Sequence, residues 1–126
     1  MNGPRIALVG FGEVGRRLAT DLRHRGAASI IAWDRLFPDH SSAPSRSLDT
    51  DRTAERAGTL DEAVAAADLI ISAVTAGSCL EAAREAARSI APGTIWLDLN
   101  SVAPATKRAA SNIIAAADGL FVEAAV

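Results

Sequence analysis

Cysteine is almost missing from this sequence, which has Cys79 as its single cysteine among 126 residues. A disulfide framework within the chain is therefore excluded, and a reducing compartment, the cytoplasm, is indicated. Basic residues are not in excess, because 13 Lys and Arg stand against 15 Asp and Glu and form no block. This balance argues against a nucleic-acid-binding surface.

Long apolar runs are also missing, since charge or glycine interrupts each one well short of a membrane span. No membrane partner is therefore expected. Neither His24 nor His40 stands in a pattern typical of a metal ligand, so no metal is expected. What the sequence does have is apolar content, at 49% of its residues and much of it alanine. This is enough for the core of one compact domain spanning residues 1–126.

Two periodicities alternate along the chain. Short apolar runs predict buried strands, and apolar residues three to four positions apart predict helices between them. The predicted strands lie at 5–9, 29–33, 68–74, 94–99 and 119–124, and the predicted helices at 13–25, 59–67, 78–90 and 104–117. Residues 36–47 are rich in Pro and Ser, which predicts an irregular surface loop.

Two helix starts carry the pattern of a capping box. Thr59 stands three residues before Glu62, and Ser78 stands three residues before Glu81. In such a box the hydroxyl accepts from the backbone amide of the glutamate, and the carboxylate returns a bond to the amide of the capping residue. We expect both boxes to form.

Buried strands that alternate with helices indicate a parallel sheet covered on both faces. Right-handed crossovers leave few topologies for such a sheet. The sequence therefore predicts an α/β doubly wound parallel sheet, the Rossmann fold, as a single domain with strand order 3-2-1-4-5-6.

Three glycines stand where the first predicted strand meets the first helix. Gly10, Gly12 and Gly15 match the pattern G-x-G-x-x-G in the strand-to-helix context that a dinucleotide site requires. Gly10 permits a tight turn, Gly12 lets a pyrophosphate approach the backbone, and Gly15 lets the helix pack close to the sheet. The free amides at the helix N-terminus then favour the phosphates.

An acidic residue ends the second strand, where a dinucleotide ribose is held. Asp34 follows Gly15 by 19 residues and is either a ribose acceptor or only a turn residue. As an acceptor it would repel a 2′-phosphate, which favours NAD over NADP. Arg35 complicates this preference, because its guanidinium can stack on adenine or meet a phosphate. Glu13 stands beside the expected pyrophosphate, and we expect its side chain to point to solvent.

Two later strand ends complete the predicted site. Residues 74–76 should touch the adenosine side, whereas Asn100 and Ser101 either reach the nicotinamide and a substrate carboxylate or cap the next helix. Cys79 is expected to be a packed thiol. The predicted cofactor-binding residues are Gly10, Phe11, Gly12, Glu13, Val14, Gly15, Asp34, Arg35, Val74, Thr75, Ala76, Asn100 and Ser101, of which the last two are also predicted substrate contacts.

Five segments together resemble the β-hydroxyacid dehydrogenases, a family that includes 3-hydroxyisobutyrate and 6-phosphogluconate dehydrogenases. They are IALVGFGEVG, AWDR, ADLIISAV, DLNSVAP and FVEAAV. The resemblance covers essentially the whole chain, but only the N-terminal, cofactor-binding domain of the family. The family's D-x-S-T-x-S-P segment, which contacts nicotinamide and substrate, corresponds to DLNSVAP, in which Asn100 and Ala103 replace serines.

The resemblance implies an oxidoreductase that transfers hydride between a nicotinamide cofactor and a small hydroxy acid. The family's D-A-P-V-S-G-G segment and its catalytic lysine, which belongs to a helical second domain, are absent from this sequence, and Lys107 is not the equivalent of that lysine. No catalytic residue is therefore assigned, and this domain alone is expected to be inactive. The surface that the helical domain would cover is expected to be apolar and to favour a homo-oligomer.

Two interpretations of function remain open. The first is the enzyme domain, and the second is a stand-alone regulatory NAD(H) sensor, like the NAD-binding domains of potassium transport systems. The DLNSVAP segment favours the enzyme, because a sensor does not need a substrate shelf there. The final segment GLFVEAAV also has two interpretations, either a strand that ends the domain or the front part of a longer protein.

Overall fold

Helices and strands alternate along the chain in the computed structural model, which describes residues 3–124. The strands are β1 (Arg5–Val9), β2 (Ser29–Trp33), β3 (Glu55–Arg56), β4 (Leu69–Ser72), β5 (Ile95–Asp98) and β6 (Leu120–Glu123). The helices are α1 (Glu13–His24), α2 (Ala43–Asp51), α3 (Leu60–Ala65), α4 (Cys79–Ala87) and α5 (Pro104–Ala116), with a 3₁₀ turn at Ala76–Ser78. Over this part of the chain, no helix has both the length and the apolar character needed to cross a membrane.

The six strands form one parallel sheet in the order β3-β2-β1-β4-β5-β6, which confirms the predicted topology. β1 lies inside the sheet, where Val9 is in register with Trp33 of β2 and with Ser72 of β4. Because all the strands are parallel, the segments that follow β1, β2, β4 and β5 meet at one edge. The chain reverses its direction of winding between β1 and β4, and this reversal opens a crevice at that edge.

A separate apolar core covers each face of the sheet. On β1, Ala7 and Val9 belong to the core built with α3, α4 and α5, whereas Ile6 and Leu8 belong to the core built with α1 and α2. The alternation along the strand accounts for this division, since successive side chains point to opposite faces. Both faces are apolar, as expected for a parallel strand covered by helices on each side.

β3 is the strand that the sequence analysis did not locate. It consists of Glu55–Arg56 alone, with Arg56 in register with Ala32 of β2. Two charged residues carry no apolar period, so no pattern marks them as a strand. The Arg56 side chain helps to hold β3 in place, because it donates to the Asp49 carboxylate of α2 at 2.6 Å and lies over the Phe37 ring at 4.6 Å.

The prediction of an irregular loop over residues 36–47 is wrong in its second half, where α2 begins at Ala43. Ser42 caps this helix, since its hydroxyl oxygen accepts from the Ser45 N–H at 3.4 Å. Pro44 lies in the first turn, where its missing amide hydrogen loses no helical hydrogen bond. The proline and serines that indicated a loop therefore form the start of a helix.

Of the two predicted capping boxes, the first forms one of its two bonds and the second forms neither. Thr59 Oγ1 accepts from the Glu62 N–H at 3.0 Å, and Glu62 Oε2 accepts from the Gly58 N–H at 3.0 Å rather than from the Thr59 amide. Ser78 makes no capping bond to α4. The 3₁₀ turn that precedes α4 places the Ser78 hydroxyl against the Thr75 hydroxyl instead, at 3.1 Å.

Candidate dinucleotide-binding site

The turn after β1 contains two glycines at which the backbone passes close to other backbone. Gly10 has a φ of +100°, and its N–H donates to the carbonyl oxygen of Trp33 at 2.8 Å. A Cβ on Gly10 would overlap the carbonyl oxygen of Ala73, and a Cβ on Gly15 would overlap the carbonyl oxygen of Gly10. The lack of a side chain at Gly10 therefore lets the turn approach the end of β4, and the lack of one at Gly15 lets α1 approach the turn.

Gly12 is not constrained by close packing in this way. Its φ is −78°, and no heavy atom lies within 4 Å of a Cβ built on it. Gly12 is the N-cap of α1 and offers no side chain to the first amides of the helix, which stay available. Bare backbone at the positive end of a helix dipole accepts a phosphate group. The geometry at Gly12 therefore fits the pyrophosphate that the sequence predicts.

The other residues of the glycine motif point away from this open space or pack behind it. Phe11 is fully buried, and its ring packs against Phe37 with a centroid separation of 5.9 Å. Glu13 is exposed, as expected, and its carboxylate pairs with Arg17 at 3.0 Å. Val14 is also exposed. The Phe11 ring thus anchors the turn to the core formed with α1 and α2.

Asp34 is fixed at the end of β2 by two backbone amides. Its Oδ2 accepts from the Phe11 N–H at 2.8 Å, and its Oδ1 accepts from the Leu36 N–H at 2.9 Å. The first of these bonds ties the end of β2 to the glycine turn. Each carboxylate oxygen retains a further lone pair, so the group can accept additional hydrogen bonds from a ribose. Both interpretations of Asp34, the turn residue and the ribose acceptor, are compatible with this geometry.

A cavity of about 220 Å³ lies beside the glycine turn, at the edge where the strands end. The structure brings six predicted site residues together around it, namely Gly10, Gly12, Asp34, Arg35, Val74 and Thr75. The remaining seven are not among its lining residues, namely Phe11, Glu13, Val14, Gly15, Ala76, Asn100 and Ser101. The predicted adenosine side and the predicted nicotinamide side are therefore separate places on the molecule.

Helices α2 and α4 supply walls of this cavity that the sequence analysis missed. Pro44 belongs to the segment interpreted as a loop, and Glu81 and Glu85 lie on α4. The two glutamates are four residues apart and so share one face of the helix. That spacing is visible in the sequence, but only the tertiary fold brings this face to the cavity. Their carboxylates add negative charge to a cavity that Asp34 also lines.

The end of β5 positions Asn100 and Ser101 differently from each other. Asn100 is 5% exposed, and its Oδ1 accepts from the Val74 N–H at 2.7 Å. Ser101 is exposed and lies in a second, more open depression, which Asn100 and Lys107 also line. Neither residue caps the next helix, since the N-cap of α5 is Ala103, so that alternative is wrong. Ser101 therefore has the side chain that is open to a ligand.

A buried ion pair supports the same strand end. Lys107 Nζ lies 2.7 Å from Asp98 Oδ1, and the two side chains are 16% and 1% exposed. Cys79 is buried and donates to Asp98 Oδ2 at 3.8 Å. Burial raises the pKa of the Cys79 thiol, and the negative charge of Asp98 raises it further. The predicted packed thiol is confirmed. Neither this cluster nor any other within residues 3–124 groups three or more His, Cys, Asp or Glu so as to hold a metal.

Comparison with known proteins gives a family match over almost the whole chain. Residues 5–126 match the family model described as the NAD binding domain of 6-phosphogluconate dehydrogenase. No curated protein sequence matches the chain.

Solved structures with the same fold are longer than this chain. A conserved hypothetical protein from Sinorhizobium meliloti 1021 is 34% identical, with a TM-score of 0.87 over 100% of this chain and 42% of that one. Conserved protein MTH1747, described as structurally similar to 3-hydroxyacid dehydrogenases, is 34% identical, with a TM-score of 0.79 over 97% of this chain and 43% of that one. A 3-hydroxyisobutyrate dehydrogenase from Mycobacterium tuberculosis is 20% identical, with a TM-score of 0.83 over 98% of this chain and 40% of that one. The chain spans less than half the length of these proteins.

Two more distant structures contain different cofactors. An imine reductase from Myxococcus stipitatus, in complex with NAD⁺, is 22% identical, with a TM-score of 0.82 over 98% of this chain and 41% of that one. An imine reductase from Aspergillus terreus, in complex with NADPH4, is 19% identical, with a TM-score of 0.75 over 100% of this chain and 42% of that one. At this level of identity they share the fold alone with this chain.

Proposed function

The chain belongs to the family of the NAD binding domain of 6-phosphogluconate dehydrogenase, and from this we propose that it binds NAD as the cofactor domain of an oxidoreductase acting on a small hydroxy acid. The resemblance to the β-hydroxyacid dehydrogenases is confirmed at the level of the family. The observation that carries the proposal is the open backbone at Gly12, with free helix amides behind it and a fixed Asp34 beside the same cavity.

The pyrophosphate would lie at Gly12, against the first amides of α1. The helix dipole favours negative charge there, and no side chain competes for those amides. The adenosine would occupy the cavity between Asp34, Val74 and Thr75. The carboxylate of Asp34 would accept from the ribose hydroxyls, since its two existing bonds hold it at the mouth of the turn.

Three carboxylates around this cavity support NAD as the preferred cofactor over NADP. Asp34, Glu81 and Glu85 all line the cavity, and the 2′-phosphate of NADP would add negative charge close to them. Two arginines counteract this charge, since Arg35 is an exposed residue that lines the same cavity and Arg88 lies 4.0 Å from the Glu85 carboxylate. Structures with this fold bind either cofactor, so the preference depends on these side chains rather than on the fold.

The nicotinamide and the substrate would lie toward Ser101, at the end of β5. When bound, the nicotinamide supplies or accepts a hydride at its C4 atom. The chain contributes binding and orientation, and we assign it no general acid or base. Lys107, the only lysine of the chain, is paired with Asp98, and the family's catalytic lysine belongs to a separate helical domain. A stand-alone NAD(H) sensor is not favoured by membership of a dehydrogenase family.

An apolar surface on β5 and β6 supports the further proposal of a homo-oligomer in the cytoplasm. Ile95, Leu120 and Val122 are 39%, 57% and 47% exposed, and Ile95 is in register with Leu120 across the two strands. Exposed neighbouring apolar side chains are typical of an interaction surface. Sedimentation velocity over a range of concentrations tests this, and a monomer at every concentration would contradict it.

Isothermal titration calorimetry with NADH tests the proposed function. We expect saturable binding of one dinucleotide per chain and no oxidation of 3-hydroxyisobutyrate or 6-phosphogluconate in the presence of NAD. The chain has residues proposed to hold the cofactor, but no residue assigned to move the proton. Absence of binding at millimolar NADH contradicts the cofactor proposal, and turnover by this domain alone contradicts the absence of a general acid or base.

A further inference from the structure

Asn100 joins the ends of two neighbouring strands through its side chain. From the hydrogen bonds of this side chain we infer that Asn100 is a positioning residue. Its buried carboxamide fixes the place of Val74 in the wall of the dinucleotide cavity, and it does not touch the nicotinamide or the substrate. This inference rests on the proposed function. It assigns the Asn100 side chain a role different from that of Ser101, the next residue in the chain.

The Asn100 carboxamide is fully engaged by the protein. Its Oδ1 accepts from the Val74 N–H at 2.7 Å, and its Nδ2 donates to Ser72 Oγ at 3.1 Å and to Cys79 Sγ at 3.6 Å. The side chain thus connects the end of β5 with the end of β4 and the start of α4. Because Asn100 is 5% exposed, truncating it would leave the Val74 donor without its partner in a largely dry environment, which is costly.

A second layer of polar contacts fixes Asn100 itself. Its backbone N–H donates to Asp98 Oδ1 at 2.9 Å, and the same oxygen accepts from Lys107 Nζ at 2.7 Å. Asp98 is fully buried, so the ammonium supplies the opposite charge that a buried carboxylate requires. Asn100 is thus held through its backbone N–H as well as through its carboxamide, and a network of this kind specifies a single geometry.

The Val74 backbone carries this geometry to the dinucleotide cavity. Val74 and Thr75 both line the cavity. The carbonyl of Ala73 faces Gly10 closely, and the Val74 side chain lies 3.2 Å from where a Cβ on Gly10 would stand. A shift of Val74 would therefore change the wall opposite the glycine turn, where adenosine and pyrophosphate are proposed to bind.

The comparison of NADH with ADP-ribose tests this inference, because ADP-ribose lacks the nicotinamide ring but keeps adenosine and pyrophosphate. We expect Asn100→Ala to weaken the binding of both ligands by the same factor, about tenfold, because Val74 would shift in the wall that faces the parts the two ligands share. The matched control is Ser101→Ala, which changes the exposed neighbour. It is expected to leave ADP-ribose binding unchanged. The calorimetric stoichiometry reports the folded fraction in each variant.

Each outcome has a distinct meaning. Loss of NADH affinity alone in Asn100→Ala would show that Asn100 contacts the nicotinamide, and unchanged affinity for both ligands would show that it positions nothing. Either result overturns the inference. Wild-type protein that binds neither ligand contradicts the proposed function, and the inference fails with it.

A second variant keeps the test decisive where alanine prevents folding. Asn100→Ser keeps a polar hydroxyl in place of the carboxamide and adds no charge beside the buried Asp98. We expect a smaller loss of affinity than for Asn100→Ala, again by the same factor for NADH and ADP-ribose. Unequal factors for the two ligands in this variant overturn the inference in the same way.

Discussion

Gly10 and Gly12 are two residues apart in one turn, and a methyl group would meet different surroundings at each. At Gly12 the φ is −78° and the space around a Cβ is open. We expect Gly12→Ala to weaken NADH binding at least about tenfold, or about 1.4 kcal/mol, because the methyl group would occupy the place of the pyrophosphate. The unfolding free energy of the apo protein should change by less than about 1 kcal/mol. Calorimetry and thermal unfolding measure the two quantities.

Gly10→Ala is the matched control for that experiment. The φ of +100° and the overlap with the Ala73 carbonyl both oppose a side chain there, so the apo protein should be strongly destabilised. If Gly12→Ala instead lowers the melting temperature as severely as Gly10→Ala, then Gly12 serves the fold rather than a ligand.

Asp34 combines a structural and a proposed ligand-binding role, and this determines which substitution tests it. Alanine would leave the amides of Phe11 and Leu36 without an acceptor, whereas Asp34→Asn keeps one acceptor oxygen and removes the charge. We expect Asp34→Asn to weaken NADH binding by about 1–2 kcal/mol, the scale of a charge-assisted hydrogen bond. NADPH binding should be unchanged or tighter. Fluorescence titration with both cofactors gives the affinity ratio.

Asp39→Asn is the control for the charge itself. Asp39 is exposed in the same segment and accepts from Ser41 rather than from the glycine turn. The Asp39→Asn variant should leave the ratio of the NADH and NADPH affinities unaltered. A ratio that stays constant in Asp34→Asn as well would mean that Asp34 only closes the turn.

The surroundings that the sequence anticipated are those that follow from local backbone geometry. The context of strand, glycines and helix was enough to anticipate the open Gly12 and the acidic end of β2. Asn100 was not separable from Ser101, because the two polar residues are adjacent and only the packing of β4 against β5 decides which one is buried. Glu81 and Glu85 were missed for a similar reason, since their helical face carries no local mark of the cavity.

At the scale of elements, two helix starts with the same sequence pattern differ in structure. Thr59 accepts from the Glu62 amide, whereas Ser78 makes no capping bond. We expect Thr59→Ala to lower the unfolding free energy by about 1 kcal/mol, the usual contribution of an N-cap. Ser78→Ala should cost clearly less, because its hydroxyl contacts only the exposed Thr75 side chain. Urea unfolding monitored by circular dichroism measures both.

Equal losses in the two variants would contradict this assignment of the caps. The pattern placed the start of α4 correctly at Ser78 but could not show that its capping bond is missing, because a capping box requires the capping residue to be extended. Thr59 has that conformation, with a φ of −139° and a ψ of 160°. Ser78 ends a 3₁₀ turn and has a φ of −102° and a ψ of −3°.

The elements that escaped sequence analysis, β3 and α2, are short and polar. Glu55–Arg56 has no apolar alternation, and its position is set by pairing with β2 and by Arg56 reaching Asp49. α2 begins in a stretch of serine and proline that is equally typical of a loop. In both cases tertiary contacts overrule a weak local preference.

At the scale of the whole molecule, the order of the sheet was predictable although one strand was not located. Alternation of buried strands with helices restricts the topology through the handedness of crossovers, and this rule does not depend on every strand being found. The sequence assigned the adenosine contacts and Ser101 to the ends of different strands, but it did not give the extent of their separation. That extent depends on the distance between the ends of β1 and β5, which lie on opposite sides of β4.

The place of β1 inside the sheet has a consequence for synthesis on the ribosome. β1 is the first strand to emerge, yet its second neighbour, β4, begins only at Leu69. The Ala73 N–H that donates to the Val9 carbonyl at 2.9 Å emerges later still. A nascent chain that has not yet exposed residues 69–73 therefore has a glycine turn with nothing to close against. Cofactor capture is consequently expected only after residues 69–73 have emerged, however early the glycine motif itself is translated.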